Sequence, residues 1–99
     1  MPFFIETYDK DELQHLRAAH RAEHLAYLEA NKHLIIAGGG KLVDDGSRAV
    51  GSVLLVAVET REEAEKFIQD DPFFKAGLFE KTVINRWRKS FFDGKRCQN

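Results

Sequence analysis

Apolar positions along this chain alternate between two spacings, and the switches between them mark out the elements. Phe3 to Tyr8 is a short apolar and aromatic run, predicted as a first strand. From Asp11 to about Ala30 the residues are strong helix formers with no Gly or Pro. Within that stretch Leu13, Leu16, His20, His24, Tyr27 and Leu28 recur three and four residues apart, as one face of a helix requires. Asp9 or Asp11 offers an N-cap, Asp11 and Glu12 place negative charge in the first turn, and Asn31 offers a stop. His33 to Leu42 reads as a second strand running into Gly38-Gly39-Gly40, which opens a turn. Asp44-Asp45-Gly46-Ser47 is a turn signal, and Val50 to Val58 is a third strand that closes a hairpin. Thr60 followed by Glu63 is a capping-box pattern, opening a helix through about Gln69 with Ala64, Phe67 and Ile68 inward. Pro72 disfavours helical geometry at Asp71 and ends that helix. One short turn over Phe73–Ala76 then precedes a last strand, about Phe79 to Arg88.

The order β-α-β-β-α-β is the split-βαβ, ferredoxin-like plan, an α+β fold with a four-stranded antiparallel sheet and two helices on one face. Residues 1–99 are expected to form a single domain, with a core of about 2–88 and a tail, 89–99, that is polar apart from Phe91 and Phe92. Leu34-Ile35-Ile36-Ala37 and the run Val53 to Val58 are apolar on both faces of their strands. Two helices cover one face of such a sheet, so the other is predicted to be an interface, giving a homodimer through the sheet face.

Composition narrows the function classes. A hydrophobic fraction of 43% beside 31% charged residues supports a packed core and argues against disorder. The net charge of −1 provides no basic field, so no nucleic-acid partner is expected, and only the Arg86 and Arg88 pair around Trp87 speaks for one. A single cysteine, Cys97, cannot form an internal disulfide, which suits a reducing, cytoplasmic setting. No apolar run approaches the roughly eighteen residues of a membrane span, and Glu6 follows the apolar start too soon for a signal peptide.

His20-Arg21-Ala22-Glu23-His24 matches the inverted zinc-peptidase string H-x-x-E-H, and histidines at i and i+4 share a helix face. A zinc site needs a third protein ligand, and both histidines fall within the apolar stripe, so no metal or other cofactor is expected. His24 has a better use as a general acid or base, with Asp71 as the carboxylate that fixes its tautomer. The plainer reading is that His24 is a satisfied core polar group and that Asp71 caps a turn before Pro72. Gly38-Gly39-Gly40 is no dinucleotide fingerprint; it suits a β-bulge or a close approach of backbone to a ligand. Gly51-Ser52 could pack the sheet or line a pocket, and Ser52 lacks the strand-turn-helix elbow of a nucleophile.

Arg21-Ala22-Glu23-His24-Leu25, Ala37-Gly38, Gly51-Ser52, the helix around Ala64 and Asp71-Pro72-Phe73 with Ala76-Gly77, taken in this order, resemble the YciI-like family of dimeric α+β-barrel proteins. The resemblance covers roughly residues 2 to 88. It implies a ferredoxin-like protomer whose sheet packs on a partner's, and a pocket holding His24 and Asp71 as the catalytic pair. Arg21, Gly38 and Ser52 fall where the family places supporting, substrate-binding residues. One branch of the family resembles enzymes that remove chloride from chlorinated hydroxyhydroquinones, and the wider superfamily includes muconolactone isomerases. The resemblance therefore implies a cofactor-independent lyase or isomerase acting on a small cyclic or anionic metabolite. The alternative is a non-catalytic dimer of the same fold that binds a small molecule or another protein. The family commonly carries Ala-Gly-Pro after the second strand; here Ala37-Gly38-Gly39-Gly40 stands in its place, loosening the loop beside the expected pocket.

Overall fold

A computed structural model describes residues 1–98 of the chain. Its elements run β1 (Phe3–Asp9), α1 (His15–Ala30), β2 (Ile35–Leu42), β3 (Ala49–Val56), α2 (Arg61–Gln69), α3 (Pro72–Lys75) and β4 (Phe79–Arg86). Two short strands, β5 (Phe91–Phe92) and β6 (Lys95–Arg96), pair with each other in the tail. The four long strands form one antiparallel sheet in the order β2-β3-β1-β4, which is the ferredoxin-like arrangement.

Alternation along β1 decides which face is covered. Phe3, Ile5, Thr7 and Asp9 are buried, whereas Phe4, Glu6 and Tyr8 on the opposite face are not. In register with the first set stand Val56, Leu54 and Ser52 of β3 and Ile84 and Thr82 of β4. Phe3, Ile5, Leu54 and Val56 pack against Ala64, Phe67 and Ile68 of α2, and Tyr27 and Leu28 of α1 close over the same cluster. The inward set read from the α2 sequence is therefore the set that is buried.

Local chemistry fixes most element ends. Thr60 and Glu63 form the reciprocal capping box at the start of α2. Asp71 is the N-cap of α3, accepting a bond from the Phe73 N–H, and Pro72 occupies the first helical position. At the other end of α3 the Leu78 N–H reaches the Phe73 carbonyl and the Gly77 N–H the Phe74 carbonyl, a Schellman closure. It puts Gly77 at φ +80° and fully buries Leu78.

Four expectations are corrected. The first helix is preceded by a 3-10 turn over Asp11–Leu13, and neither Asp9 nor Asp11 caps it. Asp9 instead ends β1 with its side chain inside the protein. Gly38-Gly39-Gly40 opens no turn: the three residues pair with Leu54, Val53 and Ser52 within β2. The bulges lie on either side of them, between Ile35 and Ala37 and between Lys41 and Leu42. The hairpin is tied beyond the second bulge by the Val43 N–H to the Arg48 carbonyl. Third, His33 belongs to a 3-10 turn, Lys32–Leu34, rather than to the second strand, and the third strand ends at Val56. Finally, β4 ends at Arg86, whose guanidinium lies 5.0 Å from the Phe3 ring on the covered face, so Arg86 and Arg88 form no strand-face pair. No helix among the described residues is long and apolar enough to cross a membrane.

Candidate functional site

No residue of α1 is fully buried: Tyr27 and Leu28 pack against the core near its C-terminal end, and the helix borders a gap from Arg17 to Leu28. The gap is a cleft of about 660 Å3 between α1, the covered face of β2 and β3, and the hairpin loop that joins them. Such a volume suits a small organic molecule. Arg17, Arg21, His24 and Leu25 line it from α1, Gly38 and Ser52 from the sheet. A Cβ on Gly38 would stand 2.6 Å from the Leu54 side chain, so the glycine keeps this wall low.

His24 is held from two directions. Its Nδ1 lies 2.9 and 3.0 Å from the two carboxylate oxygens of Asp71. Its ring stacks on Phe73 with centroids 4.0 Å apart and 12° between planes. Asp71 is fully buried behind the imidazole, and it also accepts the capping bond from the Phe73 N–H. A carboxylate facing Nδ1 selects the tautomer with the proton on that nitrogen and leaves Nε2 as the free base of a residue lining the cleft. The loop that ends α2 thus supplies both the carboxylate and the stacking ring. One local signal, Asp-Pro-Phe, builds both supports.

Of the residues singled out from sequence, His24, Arg21, Gly38 and Ser52 all border the cleft, and Asp71 stands behind His24. Ser52 is nearly buried and its hydroxyl lies 2.6 Å from that of Thr7, which is wholly enclosed. His20 does not line the cleft: it is half-buried, and its Nδ1 lies 3.6 Å from the exposed carboxylate of Glu23. Among the described residues no three His, Cys, Asp or Glu side chains converge as a metal cluster would.

Sequence reasoning missed the other end of the cleft. Arg17 donates to both oxygens of Asp9, through Nε to one and through Nη2 at 3.1 Å to the other. Its guanidinium carbon lies 5.0 Å from the Phe73 ring centre, so one phenylalanine supports both Arg17 and His24. The Gln14 amide donates to Asp9 at 2.8 Å and accepts from Arg48 of the hairpin loop at 3.0 Å. A signal was present: Arg17, Arg21 and His24 follow one another at four and three residues, a row of nitrogen side chains that runs into the apolar stripe at His24.

Tyr27 points away from this chemistry. Its hydroxyl donates to the Phe67 carbonyl at 2.7 Å, tying α1 to α2. Burial, with the charges of Asp70 and Asp71 nearby, pushes its pKa up to about 12, so it remains a protonated structural donor.

Comparison with known proteins places this geometry in context. A family model described as the YCII-related domain matches residues 1–88. A protein of Haemophilus influenzae described only as uncharacterized is 26% identical over 98 residues, covering 92% of this chain and all of its own. Among solved structures, the 5-chloro-2-hydroxyhydroquinone dehydrochlorinase of Burkholderia phenoliruptrix AC1100, in complex with 2,5-dihydroxybenzoquinone, superposes with a TM-score of 0.82. The two chains are 38% identical, over 89% of this chain and 94% of the other.

Proposed function

The chain belongs to the YCII-related family, and from that premise we propose that it is a cofactor-independent enzyme using His24 and Asp71 as an acid/base pair on a small oxygenated ring. The observation that carries the proposal is the bond of His24 Nδ1 to both oxygens of Asp71, on a residue that lines a ligand-sized cleft. The similar dehydrochlorinase, which holds a dihydroxybenzoquinone, supports the substrate class. Neutral His24 takes a proton from a ring hydroxyl at Nε2, and Asp71 stabilises the imidazolium so formed. The electron pair left on oxygen moves into the ring, and the imidazolium returns the proton to a ring carbon. An isomerisation ends there. In a dehydrochlorination the protonated carbon is the one bearing chlorine; a second hydroxyl proton then leaves and chloride departs with the bonding pair. Net loss is one proton and one chloride. Arg21 and the backbone around Gly38 hold an anionic oxygen of the ring, and Ser52 orients another.

Chloride release from 5-chloro-2-hydroxyhydroquinone tests this reading. Wild-type protein should release chloride, and His24→Gln should lower the rate about a hundredfold or more while remaining folded. The second reading, a non-catalytic binding module, draws on the capping bond from Phe73 to Asp71, which gives the carboxylate a structural purpose of its own. It gains if wild-type protein binds the compound without turnover and His24→Gln alters only the melting temperature. We further propose that the protein works as a cytoplasmic homodimer joined through its open sheet face.

A further inference from the structure

The cleft is cationic without any acidic lining residue. Arg17, Arg21, Arg48 and His24 border it, while Asp9 and Asp71 sit behind their partners. Asp9 offsets the charge of Arg17, which leaves Arg21 and Arg48 as the positive charge that faces the cleft. Arg21 has no ion-pair partner among the described residues. The Arg48 guanidinium bonds the neutral amide of Gln14, and the exposed Asp45 carboxylate of the same loop feels its charge from outside the cleft lining.

Arg17 and Arg48 are also pre-placed. The Asp9 carboxylate, 1% exposed, takes Arg17 in a two-pronged grip through Nε and Nη2, which leaves Nη1 free to donate. Gln14 donates to that same carboxylate and accepts from Arg48, so one amide group separates the two arginines' supports. One buried carboxylate at the end of β1 thereby fixes a guanidinium from α1 and steers one from the β2–β3 loop. Fixed donors lose little freedom when an anion arrives.

We propose that Arg17 and Arg48 form an anion-binding end of the cleft, so that the ligand is a small acid: a hydroxylated ring with a carboxylate or ionised hydroxyl at Arg17 and Arg48 and its reacting oxygen toward His24 and Ser52. The inference rests on the reading of this cleft as the ligand site, but not on turnover.

Calorimetric titration with 2,5-dihydroxybenzoate, its methyl ester and hydroquinone tests it. Wild-type protein should bind the acid about tenfold or more tightly than the ester or hydroquinone. Added salt should weaken the acid selectively. Arg48→Gln, on an exposed loop and harmless to the core, should remove that preference by weakening the acid about tenfold more than either neutral probe. Gln14→Leu should reduce the preference in part by releasing Arg48. Equal affinity for acid and ester in wild-type protein overturns the proposal, as does no binding of the acid at millimolar concentration. So does an Arg48→Gln variant that keeps the preference. His24→Gln separates the two readings: if it retains chloride release, the dyad is wrong, whereas the preference for the acid belongs to the arginines and should survive in it.

Discussion

Asp71 serves two partners with one carboxylate: the Phe73 N–H that starts α3 and the His24 imidazole. The two substitutions at this residue should therefore diverge. Asp71→Asn keeps an acceptor for the Phe73 N–H and should cost about 1 kcal/mol in urea unfolding. Asp71→Ala removes the cap and strands a part-buried imidazole, so a loss of about 3 kcal/mol or more is expected. Equal losses would mean that neither bond contributes as the geometry indicates. Tyr27 gives a second prediction, now in pH. Its folded pKa of about 12 lies above the ordinary tyrosine value of 10.0, so the folded state keeps a proton that the unfolded chain loses between those values. Its contribution is complete below pH 10 and falls away as pH rises toward 12. Stability followed by urea melts should decline over that window, and Tyr27→Phe should flatten this decline while lowering stability below it. A slope unchanged by Tyr27→Phe would assign the decline to other groups.

At the scale of elements, Gly51 joins β1 to β3 more tightly than any side chain would permit. A Cβ there would stand 2.1 Å from the Thr7 carbonyl oxygen and 2.5 Å from the Lys41 side chain. The carbonyl is backbone and cannot yield without parting the strands, so Gly51→Ala should destabilise by about 2–3 kcal/mol, at the upper end for overpacking. Gly39, paired with Val53 and with nothing within 4 Å of its would-be Cβ, should accept alanine within about 0.5 kcal/mol. Thermal or urea melts of the two variants check the contrast. The contrast also shows where sequence was readable. The Thr60–Glu63 box and the break at Asp71-Pro72 were legible because their causes lie within four residues. The pairing of His24 with Asp71 across 47 residues rested on the break at Pro72, with a plain capping role as its rival, and the ordered family motifs strengthened it. The bulges that flank Gly38–Gly40 depend on the register against β3, which no local pattern encodes. Asp9 looked like a cap because a carboxylate before a helix usually is one; burial turned it toward Arg17 instead. Arg17 itself was lost in a charged row that resembles a solvated helix face.

For the whole molecule, the face of the sheet away from the helices asks for a cover. Across its middle run Ala37, Leu55, Phe4 and Asn85, then Gly39, Val53, Glu6 and Val83, in register over all four strands. Glu6 there is tied to Lys41 at 3.1 Å, and Lys41 lies 3.3 Å from the centre of the Tyr8 ring, so the Glu6 charge within this field is paired. The tail hairpin does not hide its own aromatic residues against this face, since Phe91 is 71% exposed and Phe92 42%. A second copy packed sheet to sheet would bury the field, and a stable pairing needs about 1,200–2,000 Å2 in total. Val53 lies centrally, between Gly39 of β2 and Glu6 of β1, so Val53→Asp would bring a charge into the contact without touching the helical side. Sedimentation equilibrium at micromolar concentration should find a dimer for wild-type protein and a monomer for Val53→Asp; a monomeric wild type would sink the sheet-face interface. The cleft opens on the opposite face, among the backbones of Gly38 and Gly40 and the side chains of Ser52 and Leu54. A folded Val53→Asp monomer should therefore keep its preference for 2,5-dihydroxybenzoate over the methyl ester. Loss of that preference on dissociation would instead mean that the cleft is shaped, through the sheet, by the partner it does not touch.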